Sequence, residues 1–151
     1  MVKAKAFWEY LCNELDYRFF AGVPCRGLKP LYDTMSSEFM HYIPAVNERV
    51  AVGIVSGAQL AGVKSAILID MDNIYSVYDL IFNFNNVYKI PFLIIVYKSK
   101  NNKIDLNKPG FDIPYKLLNK TRYKSDLKKF TEIIEGMEVP GVIIIKGGLL
   151  G

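Results

Sequence analysis

Residues 43–64, IPAVNERVAVGIVSGAQLAGVK, read as a strand end, a turn, one acidic residue and then a glycine-dotted helix. Asn47 is placed as the N-cap, where its side-chain oxygen can accept a hydrogen bond from a free amide of the first turn. Glu48 falls in that first turn, where the helix dipole favours negative charge. Behind it the helix carries almost no charge, and Val50, Ala51, Ile54, Val55, Ala58 and Ala61 cover much of its surface. A helix apolar all round is normally buried, so this one is expected in the interior. Gly53, Gly57 and Gly62 interrupt it, and an internal glycine costs about 1 kcal/mol against alanine. Keeping two of them implies a close backbone approach. A buried, notched helix with a carboxylate at its mouth is a candidate site. The alternative is a core helix with an ordinary first-turn glutamate, since first-turn acids are common.

Outward from this stretch, strand and helix signals alternate. Before it, Ala4–Tyr17 has apolar residues at Phe7, Trp8, Leu11, Cys12 and Leu15, which is helical spacing. Arg18–Val23 reads as a short buried strand stopped by Pro24, Leu28–Met35 as a helix, and Phe39–Ala45 as the strand that feeds the central helix. After it, Ser65–Met71 (SAILIDM) is a continuous apolar run, as expected of a strand covered on both faces. Ile74–Asn85 reads as a helix and Pro91–Tyr97 (PFLIIVY) as the strongest strand signal. Lys98–Tyr115, with Pro109, Gly110 and Pro114, reads as a long irregular loop, a feature often tied to function. A short extended piece near Thr121, a helix over Ser125–Gly136 and a last strand over Val139–Lys146 complete the chain, and Gly147–Gly151 is a tail.

This alternation predicts an α/β three-layer sandwich with a mostly parallel, about six-stranded central sheet and helices on both faces. In such sheets ligands bind beyond the carboxyl ends of the strands. Three candidate turns fall there: Gly22–Gly27, Val46–Glu48 and Asp70–Ile74.

The totals bound the function. The 151 residues suit one domain, 1–151, with no repeat or linker to divide it. Hydrophobic residues make up 51%, which excludes general disorder. The net charge of +4 is mild and owes much to Lys98–Lys129. That stretch lacks the aromatic interleaving of RNA-binding patterns, so no nucleic acid is expected, and it reads as a solvated face or as a patch for an acidic partner. The N-terminus carries charge throughout, unlike a secretory signal. No run approaches the roughly 20 apolar residues of a membrane span, and a cytoplasmic, soluble protein is the expectation. Cys12 and Cys25 are not spaced as CxxC and only His41 exists to join them, which argues against a zinc site. Cys12 reads as a core thiol. Dinucleotide, P-loop and nucleophile-elbow motifs are absent. Asp70, Asp72 and Asp79 are the only visible oxygen donors for a magnesium ion, and hard-cation sites need converging oxygens, so no metal ligand is assigned.

Four segments taken together resemble the pyrimidine-binding domain of thiamine-diphosphate enzymes: GVPCRGLKPL (22–31), HYIPAVNERVAVGIVSGAQLAG (41–62), ILIDM (67–71) and VYKIPFLIIV (87–96). The resemblance is strongest to phosphonopyruvate decarboxylase and to the alpha subunit of sulfopyruvate decarboxylase, and covers about two-thirds of the chain. It implies the thiamine-diphosphate-binding fold, with thiamine diphosphate as cofactor and a small anionic 2-oxo acid as substrate. It gives Glu48 the catalytic role: its carboxyl shares a proton with a nitrogen of the aminopyrimidine ring, aided by an apolar cleft that disfavours the charged carboxylate. Asp72 and Asn73, after the third strand, are the other cofactor-binding positions it implies. Cys25, Arg26 and Lys29 fall on a loop that lies at the active-site mouth in the family, where Arg suits a sulfonate, phosphonate or carboxylate. Arg26 and Lys29 are equally readable as solvent-facing residues at a helix start. Cys25 has no visible base to make it a nucleophile, and His41 is read as structural.

The chain departs from the family in three places. A glycine-rich turn like MQNSGLGN is replaced by Met71-Asp72-Asn73-Ile74-Tyr75-Ser76, a His-Arg-Gly-like segment by Tyr97-Lys98-Ser99, and the following region is short and diverged. The GDG motif and asparagine that hold magnesium in the diphosphate-binding half are absent. The resemblance therefore implies a hetero-oligomer in which a separate beta subunit supplies Mg2+ and completes the site, with Gly53 and Gly57 packing at the interface. A non-catalytic regulatory or assembly subunit is the alternative, and a freestanding module binding an acidic partner through Lys98–Lys129 is a third reading.

Overall fold

The computed structural model describes residues 1–151. Six strands form one sheet: β1 (Phe19–Gly22), β2 (His41–Pro44), β3 (Ser65–Asp70), β4 (Leu93–Lys98), β5 (Tyr115–Leu117) and β6 (Gly141–Lys146), in the order β2-β1-β3-β4-β6-β5. Every neighbouring pair is parallel. Five helices connect them. Helix α1 covers Ala4–Trp8 and runs on through Glu9–Glu14 with wider, π-type bonding. Helix α2 is Lys29–Asp33, α3 is Glu48–Leu60, α4 is Tyr75–Leu80 with a π-type extension over Ile81–Asn85, and α5 is Tyr123–Met137.

The strand period of two divides the core into two. Phe20, Ala66, Leu68, Leu93, Ile95, Ile143 and Ile145 point to the face covered by α1, α2 and α5. Ala21, Ile67, Ile69, Ile94, Val96, Val142 and Ile144 point to the face covered by α3, α4 and the 104–113 segment. The fold is therefore the expected three-layer α/β sandwich, and its central strands read as unbroken apolar runs because both faces are covered. Each core has polar pins. Trp8, fully buried, donates its indole N–H to the Leu31 carbonyl at 2.7 Å, locking α1 to α2. On the other face, Ser65 donates to the Val55 carbonyl at 2.8 Å and the Asn85 amide to the Ser56 hydroxyl at 2.8 Å, so β3 and α4 both hold α3.

Two expectations need correction. The fifth strand is Tyr115–Leu117, not a piece near Thr121, which lies in the turn before α5. It is a three-residue exposed edge strand held only by β6, so it has no apolar run to announce it. The second correction concerns α3. Ala51, Val52, Val55 and Ser56 form its one buried face. Val50 and Leu60 are exposed, and a Cβ added at Gly53 or Gly57 would meet nothing within 4 Å. The helix is apolar all round but only half of it is covered by this chain, and no backbone approaches its glycines.

A close approach does explain a different glycine. Gly22 ends β1 where a Cβ would sit 2.3 Å from the Leu68 carbonyl oxygen of β3. Only glycine lets the chain leave β1 this close to its neighbour.

Candidate functional site

All six strands run the same way, so their carboxyl ends form one rim. The chain goes from β1 out to β2 at the edge and then back across β1 to β3. Strand order thus reverses beside β1, the kind of place where open α/β sheets hold ligands. The sequence-derived candidates all fall on this rim: Cys25, Arg26 and Lys29 after β1, Glu48 after β2, Asp72 and Asn73 after β3.

The loop after β1 is locked rather than open. Cys25 is 7% exposed, and its thiol donates to Asp70 Oδ2 at 3.3 Å, bridging the ends of β1 and β3. Its backbone N–H donates to the Tyr32 hydroxyl at 3.3 Å, and Tyr32 packs edge-on against Tyr42 with ring centroids 5.6 Å apart. Tyr42 in turn donates to the Gly22 carbonyl. Gly27 lies against Tyr97 of β4 so closely that a Cβ would fall 2.1 Å from the ring. Arg26 remains exposed, and Lys29 is exposed and paired with Asp33 one helical turn on.

Burial, then the hydrogen bond to Asp70, push the Cys25 thiol up to about 11, and burial pushes Cys12 up to about 12. A thiol at these values is no nucleophile near neutrality. The pH dependence follows by linkage. Unfolded thiols ionise near 9, while the folded ones stay protonated. Their contribution is full below pH 9 and is lost as pH rises toward 11–12. Two outcomes are expected: the urea midpoint falls from pH 9 upward, and iodoacetamide at pH 8 leaves both cysteines unmodified until the chain is unfolded. Free-thiol alkylation rates at Cys25 in the folded chain would contradict this geometry.

Glu48 is the first residue of α3. Asn47 caps it as expected, accepting from the Val50 N–H at 2.9 Å. The Glu48 side chain is partly exposed and forms no ion pair, whereas Arg49 beside it is tied to Asp79 at 3.0 Å and to the Ser76 carbonyl. Arg49 holds the Asp79 carboxyl below its ordinary value through that hydrogen bond. Around Glu48 the surface is apolar: Ile43, Val46 (88% exposed) and Val50 are uncovered, and the stripe continues along α3 through Gly53 and Gly57 to Leu60. None of the five main cavities of the chain is lined by Glu48. Next to α3, the same layer exposes Tyr75, Phe82, Phe84, Val87 and Tyr88.

The turn after β3 is a single 3-10 turn, Met71–Asn73, running straight into α4. Asp70 caps it, accepting from the Asp72 N–H at 2.9 Å. Asp72 accepts from the Asn102 amide, and the Asn73 carbonyl from the Ser76 hydroxyl. Asp70, Asp72 and Asp79 are each committed to different partners, and no group of three metal-ligating side chains converges.

Sequence reading missed the roles of Tyr32, Tyr42 and Tyr97, which shape the rim by packing. It also missed Lys98 and Lys146, which stand opposite each other at the ends of β4 and β6. Each lysine closes an apolar strand run, but only the register of β4 beside β6 brings the two together.

No protein-family model matches the chain. Over 79 residues, 52% of the chain, it is 33% identical to a sulfopyruvate decarboxylase subunit alpha of Methanococcus maripaludis and 37% identical to that of Methanocaldococcus jannaschii. The match spans 47% of those relatives, so the chain covers about half their length. Among solved structures, benzoylformate decarboxylase from Polynucleobacter necessarius superposes with a TM-score of 0.78 at 14% identity, over 97% of this chain and 30% of that one. A 2-oxoglutarate:ferredoxin oxidoreductase from Magnetococcus marinus superposes with a TM-score of 0.69 at 15% identity, over 99% of this chain and 29% of that one. The fold is thus one that these two enzymes contain, and the similarity to sulfopyruvate decarboxylase alpha subunits covers half of the chain rather than the two-thirds expected.

Proposed function

We propose that this chain, acting as one pyrimidine-binding-type domain, is the alpha subunit of a thiamine-diphosphate-dependent decarboxylase of a sulfopyruvate-like 2-oxo acid. One observation carries the reading: an unpaired Glu48 carboxylate at the capped start of α3, set in an apolar surface that this chain leaves uncovered. A carboxylate at a helix start is favoured by the dipole, and an aromatic ring would bury the neighbouring Ile43, Val46 and Val50. Those residues fit the pyrimidine end of the cofactor, but they form half a site. The missing walls belong to a partner, which the exposed stripe Val50–Gly53–Gly57–Leu60 is shaped to receive.

When bound, thiamine diphosphate supplies the carbon nucleophile and the electron sink for loss of carbon dioxide from a 2-oxo acid. The work of this chain is narrower. Glu48 would take up a proton at its carboxyl oxygen from a ring nitrogen of the bound cofactor and return it there. Asp72 and Asn73, in the turn that follows β3, would border the cofactor's ring. Arg26 lies free at the mouth to meet the substrate's acid group, with Lys29 beside it. The buried Cys25 positions that loop through Asp70. Magnesium is assigned to the partner, because this chain gathers no ligand set.

The experiment is decarboxylation by the chain co-purified with its partner. Carbon dioxide release from sulfopyruvate, exceeding that from pyruvate, supports the reading. A cofactor-loaded complex inactive on both overturns the proposed activity.

A second reading rests on the glycine-free turn Met71–Ser76. Its one carboxylate, Asp72, is already engaged by Asn102, and Asp70 just before it by Cys25. If this turn narrows the cleft, the chain serves as a non-catalytic assembly subunit, and the complex excludes cofactor even in saturating magnesium.

A further inference from the structure

Next to the rim just described lies a cavity of about 300 Å3 between the ends of β4 and β6, walled by Lys98, Ser99, Lys100, Asn102, Lys146 and Gly147. No hydrophobic residue lines it. Lys98 and Lys146 face each other across the strand register, and neither they nor Lys100 forms an ion pair. Like charges opposite one another on neighbouring strands are destabilising. Asp105 shares an adjoining cavity with Lys98 and Lys146, and Asp72 holds Asn102, so three lysines face two nearby carboxylates and a bound anion would offset the remaining positive charge.

The cavity is built from two closed turns. In the first, the Asn102 N–H bonds to the Ser99 carbonyl at 3.1 Å, and the Asn102 side chain is pinned by Asp72. In the second, the Leu149 N–H bonds to the Lys146 carbonyl at 3.1 Å and the Gly147 N–H to the Lys98 carbonyl at 2.8 Å. Gly148 sits at φ +94°, and a Cβ at Gly147 would come within 3.3 Å of the Lys100 side chain and 3.0 Å of the Tyr97 hydroxyl. The double glycine thus lets the second turn close over Lys100. Any side chain there would fill the space in which the Lys100 stem lies.

We infer that this cavity is a binding site for a compact multivalent oxyanion, a phosphate or sulfonate group on a small molecule. Three lysines act as separable point charges rather than as the planar fork that suits a single carboxylate. The volume sits at the low end of small-molecule pockets and suits a single compact group. The anion can be the acid group of the substrate, an assignment that rests on the decarboxylase reading, or a free phosphate acting as effector. Anion binding itself does not depend on that reading.

The test is an NMR titration of the isotope-labelled full chain with inorganic phosphate and with 3-sulfopropanoate, an unreactive sulfonate, at constant ionic strength. Saturable shifts are expected at the amides of Ser99, Lys100, Gly147 and Gly148, weakened at least 10-fold in Lys98→Gln/Lys146→Gln and unchanged in Glu48→Gln. Linear shifts matched by chloride, or a double variant that binds as tightly as the parent, would overturn the site. In the assembled complex the two sources separate. A raised KM for sulfopyruvate in the double variant, with no response to phosphate, identifies the substrate's own group. An unchanged KM with loss of a phosphate effect identifies an effector. A complex inactive on every 2-oxo acid defeats the decarboxylase reading alone, because binding is read on the chain without cofactor.

Discussion

Glu48→Gln lowers kcat of the assembled complex by 10²- to 10⁴-fold, the range over which a positioned acid–base group contributes. Glutamine keeps the length and polarity of the side chain but can neither take nor return a proton. The fold should be untouched: the α3 cap belongs to Asn47, and Glu48 makes no ion pair whose loss would be felt. Loss of one first-turn charge costs only about 0.3–1 kcal/mol. Circular dichroism, association with the partner and cofactor content should therefore match the parent while turnover collapses. A variant within about threefold of parental kcat would remove Glu48 from the proton path.

Gly57→Leu should give the opposite pattern, an intact chain that no longer assembles. A side chain at Gly57 meets nothing within 4 Å in the isolated chain, so it is accommodated without strain. Replacing an internal helical glycine by a good helix former stabilises by up to ~1 kcal/mol, so the isolated variant should unfold at equal or higher urea. In the proposed complex the same side chain would stand where a partner backbone closes on the stripe Val50–Gly53–Gly57–Leu60. Overpacking of this kind costs about 1–3 kcal/mol, and at ~1.4 kcal/mol per decade that weakens association by roughly 10- to 100-fold. Sedimentation or titration calorimetry of the purified pair reads the result. Association at parental strength would mean that this face of α3 is not the interface.

The elements of the fold were legible where local chemistry punctuates them. Asn47 caps α3, Pro24 follows β1 and Pro91 precedes β4, and the observed boundaries fall within a few residues of those expected. Unbroken runs such as SAILID announced central strands because both faces are buried. Tyr115–Leu117 escaped because an exposed edge strand needs no apolar pattern. The burial of α3 was misread for a related reason. Apolar surface says that a face can be covered but not by what, and this chain covers only half of it.

The site was legible only in its local part. Asn47 and Glu48 are adjacent, so cap and carboxylate could be read together. The Cys25–Asp70 contact spans 45 residues and is created by β1 lying beside β3. The facing of Lys98 and Lys146 is created by the parallel register of β4 and β6. Neither has a sequence spacing that could have signalled it.

The central claim is a cofactor site shared between this chain and a separate diphosphate-binding chain. Calorimetric titration of thiamine diphosphate, in saturating magnesium, into the isolated chain and into the co-purified complex tests it most directly. The isolated chain should bind none, and the complex should bind one cofactor per alpha–beta pair. A well-folded complex that binds none, or an isolated chain that binds cofactor as tightly as the complex, would contradict it.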